Sequence, residues 1–405
     1  MFEALSNAVA LGMAKVTRRG GGYLVHGARG DMLMEGELER VGAEWRDSEG
    51  AYFVHGDAAA KDMRRMERRS KVAAKAIAAR AAKAREQGIR LFDNQRARQQ
   101  RKVTREIRAM YERAMAEHAA DIASIERILS AGRPEGMDAA EWAATVARRR
   151  NTLAELEAVY DSLAAGLSKA GESSQMLMSA RLQESAAIGR KVAAWQIDNM
   201  AGVNVTRFIA SDTATLALTG IGTYHGKYDL KAWQGVADRK ACRETIRKAV
   251  SRGLLTGEHP ERIARRIEGV FDGTEPLSPH KRAVRIARTE TASIMSEAAQ
   301  ETMRAANDSG VRVLNRWDAT LDGKTRDSHR AVDGEVREVG EKFSNGLRRV
   351  GDGGPADRIN CRCCMTPVLE GFEPDSPLRR DNESGEMLPY MTYAEWERTR
   401  GKELS

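Results

Sequence analysis

Apolar residues at intervals of three and four restrict residues 100–167 to amphipathic helices. The first stripe consists of Val103, Ile107, Met110, Ala114, His118, Ile122, Ile125 and Leu129. The second consists of Trp142, Val146, Arg149, Leu153, Leu156, Tyr160, Leu163 and Leu167. Gly132, Pro134 and Gly136 separate the stripes, so the sequence predicts an antiparallel helical hairpin. We expect His118 to be a packed histidine at the edge of the core, not a ligand.

The segment before the hairpin is strongly basic. Residues 61–102 hold fifteen Lys or Arg and four Asp or Glu, a net charge of +11 in a chain of net charge +8, so the remainder is near −3. Ala, Arg and Lys favour a helix over about 60–87. Its candidate DNA-contacting residues are Arg64, Arg65, Arg68, Arg69, Lys71 and Lys75. Two interpretations stay open: sequence-independent contact with DNA phosphates, or a solvated helix face.

The order of these patterns predicts an α+β protein that is predominantly α. A long helical N-terminal arm containing the hairpin precedes a compact C-terminal α+β module. The predicted parts are a Gly-rich segment with short strands (1–60), a basic and amphipathic helical arm (61–202), a linker (203–235), the module (236–370), and a polar tail with a short terminal helix (371–405). Within the first part, Tyr23–Gly27 and Tyr52–Gly56 are similar and predict two short paired strands.

Composition excludes several classes of protein. No run of eighteen apolar residues is present, so we expect no membrane span. Four cysteines in 405 residues do not form a secreted disulfide framework, and we expect synthesis in a reducing cytoplasm. The start of the chain has no basic leader, so we expect no signal peptide.

Potential ligands and reactive groups concentrate in residues 315–367. Five acids, Asp318, Asp322, Asp327, Asp333 and Glu335, fall within eighteen residues. His329 lies among them, and three of the four cysteines follow at positions 361, 363 and 364. The segment has no long helical periodicity, which predicts short strands and turns around a constrained site.

Several short motifs in this region occur in a recognisable order. They are Ala287-Arg288-Thr289-Glu290, Trp317, Leu321-Asp322-x-x-Thr325-Arg326-x-x-His329, Asp333-Gly334 and Asn360-Cys361-Arg362-Cys363. Together they resemble the head-morphogenesis domain of tailed bacteriophages, the phage Mu F-like minor head protein family, over roughly residues 240–370. The family often has a His two residues before the Asn of the last motif, where this chain has Arg358.

The resemblance implies a minor head protein of a tailed phage or prophage, made in the bacterial cytoplasm and located inside the capsid of the virion. The implied partners are the portal protein, capsid or scaffold proteins, and double-stranded DNA bound without sequence preference; no membrane is implied. The implied role is head morphogenesis, DNA packaging or DNA delivery. Some relatives carry toxin or transferase domains behind this module; about forty residues follow Cys364, and we expect no such domain and no enzyme here.

Three interpretations of the 315–367 site stay open. The first is a buried polar network that fixes the loops, in which Arg binds carboxylates through paired hydrogen bonds. Its members would be Arg288, Glu290, Trp317, Asp322, Arg326, Asp333 and Asn360.

The other two interpretations involve a metal. A structural zinc ion could bind His329, Cys361, Cys363 and Cys364, although these cysteines are closer in sequence than in common zinc motifs. Alternatively, the acids with His329 could hold a divalent metal and make the chain a metal-dependent nuclease or another phosphodiester enzyme. The network requires no cofactor, so we expect either no cofactor or a structural zinc ion.

Overall fold

A computed structural model of the chain describes residues 9, 14–19, 22–28, 32–41, 43–131, 134, 136–146, 150–202, 233, 235–275, 278–370 and 378–403. Within them the helices are α1 (Met32–Glu39), α2 (Gly56–Glu117), α3 (Ala119–Ser130), α4 (Ala139–Val146), α5 (Arg150–Ala201), α6 (Arg239–Leu255), α7 (Pro260–Asp272), α8 (Pro279–Asp308), α9 (Asp327–Arg330), α10 (Pro355–Arg358) and α11 (Tyr393–Glu403). The strands are β1 (Lys15–Arg19), β2 (Gly22–His26), β3 (Glu44–Arg46), β4 (Ala51–His55), β5 (Val313–Asp318), β6 (Val336–Glu338), β7 (Cys364–Leu369), β8 (Leu378–Arg380) and β9 (Met387–Pro389).

This architecture confirms the predicted fold class, α+β and predominantly α, with long N-terminal helices before a C-terminal module. None of the described helices is both long and apolar enough to cross a bilayer. Most of the predicted linker, residues 203–232, lies outside the described residues.

The first strands form a small antiparallel sheet in the order β1-β2-β4-β3. The two similar stretches predicted as paired strands are its central pair, in which Tyr23 lies opposite Val54. Val25 and Val54 pack with Leu38 of α1 in a core of their own. The N-terminal segment therefore buries its apolar residues locally before α2 begins.

Two very long helices dominate the chain, α2 with 62 residues and α5 with 52. The predicted helices over 60–87 and from residue 100 are one helix, because the Arg, Gln and Ala residues that join them favour helix as well. α2 ends at Glu117, and the next residue, His118, interrupts the helix where the sequence predicted a continuous stripe. The His118 Nδ1 atom lies 2.8 Å from Asp121 Oδ2, so this histidine bridges α2 and α3.

α2 and α5 are antiparallel, and the two stripes predicted to form a hairpin are divided among α2, α3, α4 and α5. Arg80 of α2 donates to the Ala201 carbonyl at 2.9 Å, and Arg181 of α5 pairs with Glu106 at 2.6 Å. Residue numbers thus rise along one helix as they fall along the other. Leu153 of the second stripe is exposed. The buried members of the two stripes are Val103, Ile107, Ala114, Ile122, Ile125, Leu129, Trp142, Leu156, Tyr160, Leu163 and Leu167.

The module continues into the core of the long helices. Its three-stranded sheet has the order β6-β5-β7, with both neighbours antiparallel to β5. Trp317 of β5 is fully buried in one apolar cluster with Ala81 of α2 and Ile197 of α5. The predicted arm and module are therefore physically continuous, since one core contains side chains of both.

α8 packs against both α2 and α5, and it lies close to α5 at Gly189. A Cβ atom added at Gly189 would lie 2.4 Å from the Met295 carbonyl oxygen and 2.9 Å from the Met295 Cα. These are backbone atoms of a long helix, which cannot move aside as a side chain would. Only glycine fits at this crossing.

We expect Gly189→Ala to lower the free energy of unfolding by about 1–3 kcal/mol, because the added methyl group forces two helices apart. Urea denaturation followed by circular dichroism measures this loss. Gly36→Ala in α1 is the matched control, because a Cβ there meets no atom within 4 Å. The control should be neutral or stabilising by up to about 1 kcal/mol. Equal stabilities of the two variants would contradict the close packing of α5 on α8.

Candidate functional site

The site is built on β5, the central strand of the module sheet. Its side chains alternate, so that Trp317 and the neighbouring Asp318 point to opposite faces of the strand. The chain after β5 turns at Asp322, where the Thr325 N–H donates to the Asp322 carbonyl at 3.3 Å. It then forms α9 and β6 and returns through α10 to β7. The structure thus adds two short helices to the predicted strands and turns.

His329, Cys361 and Cys363 converge beside Trp317. The Cys361 and Cys363 Sγ atoms lie 3.4 Å and 3.7 Å from His329 Nδ1, and all three side chains are buried. The Trp317 ring meets the imidazole edge-on, with ring centroids 5.0 Å apart. A hydrogen bond with the Cys363 side chain lowers the pKa of Cys361 to about 7, whereas that bond and burial raise the pKa of Cys363.

Cys364, which the sequence placed with these residues as a zinc ligand, lies elsewhere. It is the first residue of β7, and alternation along the strand directs it away from Cys363. It packs with Phe92 of α2, Val192 of α5 and Met295 of α8. Burial raises its pKa well above the ordinary value, so Cys364 is a neutral thiol in an apolar contact.

On the other face of β5, Asp318 pairs with Arg85 of α2. Both side chains are buried, with 4% and 0% exposure, respectively. The Thr366 hydroxyl of β7 also donates to Asp318. Burial acts to raise the pKa of Asp318, but Arg85, Arg316 and Arg379 lower it, and the net pKa is below its ordinary value of 3.8. The sequence predicted neither Arg85 nor Asp318 as part of the network.

Asp333 binds the segment that follows the sheet. Its carboxylate accepts two hydrogen bonds from Arg379 of β8, at 2.6 and 2.7 Å, and one from the Tyr393 N–H of α11 at 2.7 Å. It also accepts one from the Ala319 N–H at 2.7 Å. Trp396 of α11 is buried in the same cluster as Trp317. Asp333 therefore connects the end of β5 to the C-terminal elements.

Asp322 forms a second carboxylate contact in this region. The Arg362 guanidinium donates to its Oδ1 at 2.9 Å, and the Lys324 N–H donates to the same oxygen at 2.9 Å. The Tyr393 hydroxyl donates to the Asp322 carbonyl at 2.7 Å. Arg362 lies between the two cysteines, and this ion pair holds its side chain away from them.

Glu290 of α8 pairs with Arg358 of α10. The Arg358 Nη2 atom lies 2.9 Å and 3.2 Å from the two carboxylate oxygens, and both side chains are buried. Burial raises the pKa of Glu290, against the opposing effect of Arg358 and Arg349. At the position where the family often has a histidine, this chain has Arg358, whose positive charge faces the buried carboxylate of Glu290.

Asn360 begins the Asn-Cys-Arg-Cys run in the left-handed conformation, with φ of 57°. Asn tolerates this conformation better than most residues. The Asn360 N–H donates to the Thr289 hydroxyl at 3.3 Å, and Arg326 donates to the neighbouring Ile359 carbonyl. This anchored turn sets the direction in which Cys361 leaves the backbone.

The acids that could have formed a nuclease centre are dispersed. Asp318, Asp322 and Asp333 each face a different arginine, and Asp327 is 97% exposed. Among the residues described, the one His, Cys, Asp or Glu group close enough to hold an ion is His329 with Cys361 and Cys363.

Arg288, predicted as a network member, is exposed on a different surface. It lies beside α2, where the Gln100 side chain donates to the Arg288 carbonyl at 2.8 Å. Nine residues line the groove between these helices, five of them arginines and none of them acidic. This arginine groove consists of Ala97, Arg98, Gln100, Arg101, Thr104, Arg105, Arg108, Val284 and Arg288. Four of these arginines lie on α2 at intervals of three and four, a pattern that is visible in the sequence. The predicted basic segment, residues 61–102, included only the first two of them.

The basic residues predicted to contact DNA all lie on α2 and are exposed. They form the α2 basic face, made of Arg64, Arg65, Arg68, Arg69, Lys71 and Lys75. This face precedes the arginine groove on the same helix. At a rise of about 1.5 Å per residue, the two surfaces are tens of ångströms apart.

Comparison with known families matches residues 244–366 to the family described as Phage Mu protein F like protein. The match confirms the resemblance indicated by the motifs. The segment that matches the family contains Glu290, His329, Cys361 and Cys363.

Curated relatives are similar over a comparable length. NAD(+)--arginine ADP-ribosyltransferase EFV of Enterococcus faecalis is 33% identical over 164 residues, which are 39% of this chain and 32% of that protein. Minor head protein GP7 of Bacillus phage SPP1 is 27% identical over 159 residues, 38% of this chain and 50% of that protein. An uncharacterized protein of Haemophilus influenzae is 26% identical over 147 residues, 36% of this chain and 30% of that protein.

The matched region thus spans between about a third and a half of the length of these relatives. No solved structure matches the chain significantly.

We expect Asp318→Asn to lower the free energy of unfolding by about 3–5 kcal/mol, because it leaves the Arg85 charge buried without its counter-ion. The double variant Arg85→Met/Asp318→Leu should lose less than Asp318→Asn. Glu370→Gln is the matched control. Glu370 follows β7 and pairs with Arg312 just before β5, but this ion pair is half exposed, so its loss should change stability much less. Chemical denaturation at neutral pH measures all three losses.

The same pair makes stability depend on pH. The folded-state pKa of Asp318 lies below the unfolded value near 3.8, so its contribution is complete above that value. It is lost as the pH falls through the folded pKa. We therefore expect the stability difference between the wild type and Asp318→Asn to shrink below pH 4. A difference that stays constant down to pH 2 would contradict this assignment.

Proposed function

We propose that this chain, whose residues 244–366 match the Mu F-like family, is a minor head protein of a tailed phage or prophage. It would reside in the virion, inside the capsid, and would act in head morphogenesis, DNA packaging or DNA delivery. Its partners would be the portal protein and other capsid or scaffold proteins. The similarity to a relative named as a minor head protein supports this proposal.

We further propose that the module is structural and not an enzyme. Its acids are engaged by arginines, which supports a role in fixing the loops and the C-terminal elements. The nuclease alternative would need several carboxylates around one ion, and the described residues contain no such group. The relative named as an ADP-ribosyltransferase matches over 32% of its length, and the proposal does not transfer its activity to this chain.

The observation that carries the DNA part of the proposal is the arginine groove. Its five arginines come from two helices and lie without an acidic residue among the lining. Guanidinium groups this close together repel one another, and a bound polyanion would offset this repulsion. Guanidinium groups bind phosphate oxygens through paired hydrogen bonds, and such phosphate contacts do not depend on the base sequence. The partner that fits is the backbone of double-stranded DNA.

We expect the purified chain to bind unrelated duplexes with an affinity that falls steeply with salt. The slope of log affinity against log salt should decrease by about 0.9 for each phosphate contact removed. Arg101→Gln/Arg105→Gln tests the groove, and Arg64→Gln/Arg68→Gln tests the α2 basic face. Fluorescence anisotropy with several duplexes at rising salt measures the affinities.

The matched control is Arg262→Gln/Arg265→Gln, which removes the same charge from exposed positions on α7. It should change the slope less than the groove variant does. Affinity that ignores salt would overturn phosphate contact. Equal effects of the control and both test variants would show that net charge, and neither surface, determines binding.

The assembly part of the proposal has its own test. We expect the chain to co-elute in size-exclusion chromatography with the portal protein of the same phage after co-expression, and to remain bound at moderate salt. A truncated portal protein that is folded but lacks the head-facing surface is the control for non-specific association. Clean separation of two folded proteins would count against portal attachment while leaving the DNA result unaffected.

A further inference from the structure

Three side chains suited to soft metal ions meet inside the module. His329 comes from α9, whereas Cys361 and Cys363 come from the turn that leads into β7. One ligand atom from each lies within 4.8 Å of the other two, and all three residues are buried. The His329 Nε2 atom has no hydrogen-bond partner among the described residues, and the imidazole turns its other nitrogen to the two sulfur atoms.

The spacing of these atoms matches the coordination shell of zinc. A tetrahedral ion with Zn–S bonds of about 2.3 Å and Zn–N bonds of about 2.0 Å separates sulfur and nitrogen by about 3.5 Å. The two observed separations are 3.4 Å and 3.7 Å. Both sulfur–nitrogen separations therefore fit a bound zinc ion, and the two sulfur atoms lie within 4.8 Å of each other.

The surrounding residues hold this arrangement in place. Arg96 of α2 donates to the Cys363 carbonyl at 3.0 Å, and Asn360 fixes the preceding turn. Trp317 packs edge-on against the His329 ring. Ligands held by buried neighbours lose little conformational freedom when a metal binds, which favours a high affinity.

We propose that His329 Nδ1, Cys361 Sγ and Cys363 Sγ form a Cys₂His site for zinc. Sulfur and imidazole ligands select zinc over magnesium or calcium, which prefer oxygen. Within the described part of the chain no fourth His, Cys, Asp or Glu joins the group, so the fourth position takes a water molecule. The ion would join α9 to the start of β7, two segments more than thirty residues apart in the chain.

We assign the ion a stabilising role, because its ligands are buried and the nearby acids are paired with arginines. The water in the fourth position distinguishes the site from closed zinc sites with four protein ligands. It does not depend on the proposed function, since a stabilised module would serve any partner. A zinc ion bound only to the folded chain raises the apparent stability by mass action. Its removal should lower the melting temperature of the module, by a difference that grows with the logarithm of the free zinc concentration used.

The test begins with the full chain purified under reducing conditions without chelator. We expect one zinc ion per chain by mass spectrometry of metals, and a lower melting temperature after chelation that added zinc restores. Cys361→Ala, Cys363→Ala and His329→Ala should each lose the metal. Cys364→Ala is the matched control, because that thiol packs with Phe92 away from the site, and it should retain the metal.

Cobalt substitution of the wild-type chain keeps the test decisive if the ligand variants do not fold. Thiolate-to-cobalt charge-transfer bands with the visible bands of tetrahedral cobalt support a site with sulfur ligands. A folded, reduced wild-type chain that takes up neither zinc nor cobalt overturns the proposal. Zinc retained equally by the folded ligand variants also overturns it, as does a Cys361–Cys363 disulfide in the chain purified under reducing conditions.

Discussion

The ion pair between Arg85 and Asp318 is the interaction on which the arrangement of the chain depends. An isolated charge cannot be moved from water into a protein interior without a large cost, so each of these residues requires the other. Arg85 lies on the long helix α2 and Asp318 on the central strand of the module. Formation of this ion pair fixes the point at which α2 crosses the sheet and the position of α2 along its own axis.

Local patterns predicted the helices well, because helical periodicity is a property of nearby residues. Val103, Ile107 and Leu156 are buried as the stripes required. The same reasoning missed Arg85 and Asp318, because a charged residue in a basic helix looks exposed until its distant partner is known. It assigned both Arg288 and Glu290 of the same motif to the buried network, yet residues two apart on a helix face different directions.

The candidate site shows the same difference between local patterns and contacts that depend on the tertiary fold. His329, Cys361 and Cys363 were grouped by residue type, and the structure brings them together. Cys364 was grouped with them, but the start of β7 and its alternation turn it toward Phe92. Arg379 of the Asp333 contact had no local signal, because no motif links it to a carboxylate 46 residues away. Pairing across such separations comes from the tertiary fold and cannot be extracted from one sequence.

The contacts of Asp333 bear on how such a module could be exchanged between genomes. The segment that matches the family ends at residue 366, whereas the physical unit continues through Arg379, Tyr393 and Trp396. A recombination breakpoint at residue 370 would leave the buried carboxylate of Asp333 without Arg379. It would also expose to solvent the apolar cluster that contains Trp317. Viable breakpoints should therefore fall beyond α11. The segment inherited as a unit is then longer than the segment that matches the family.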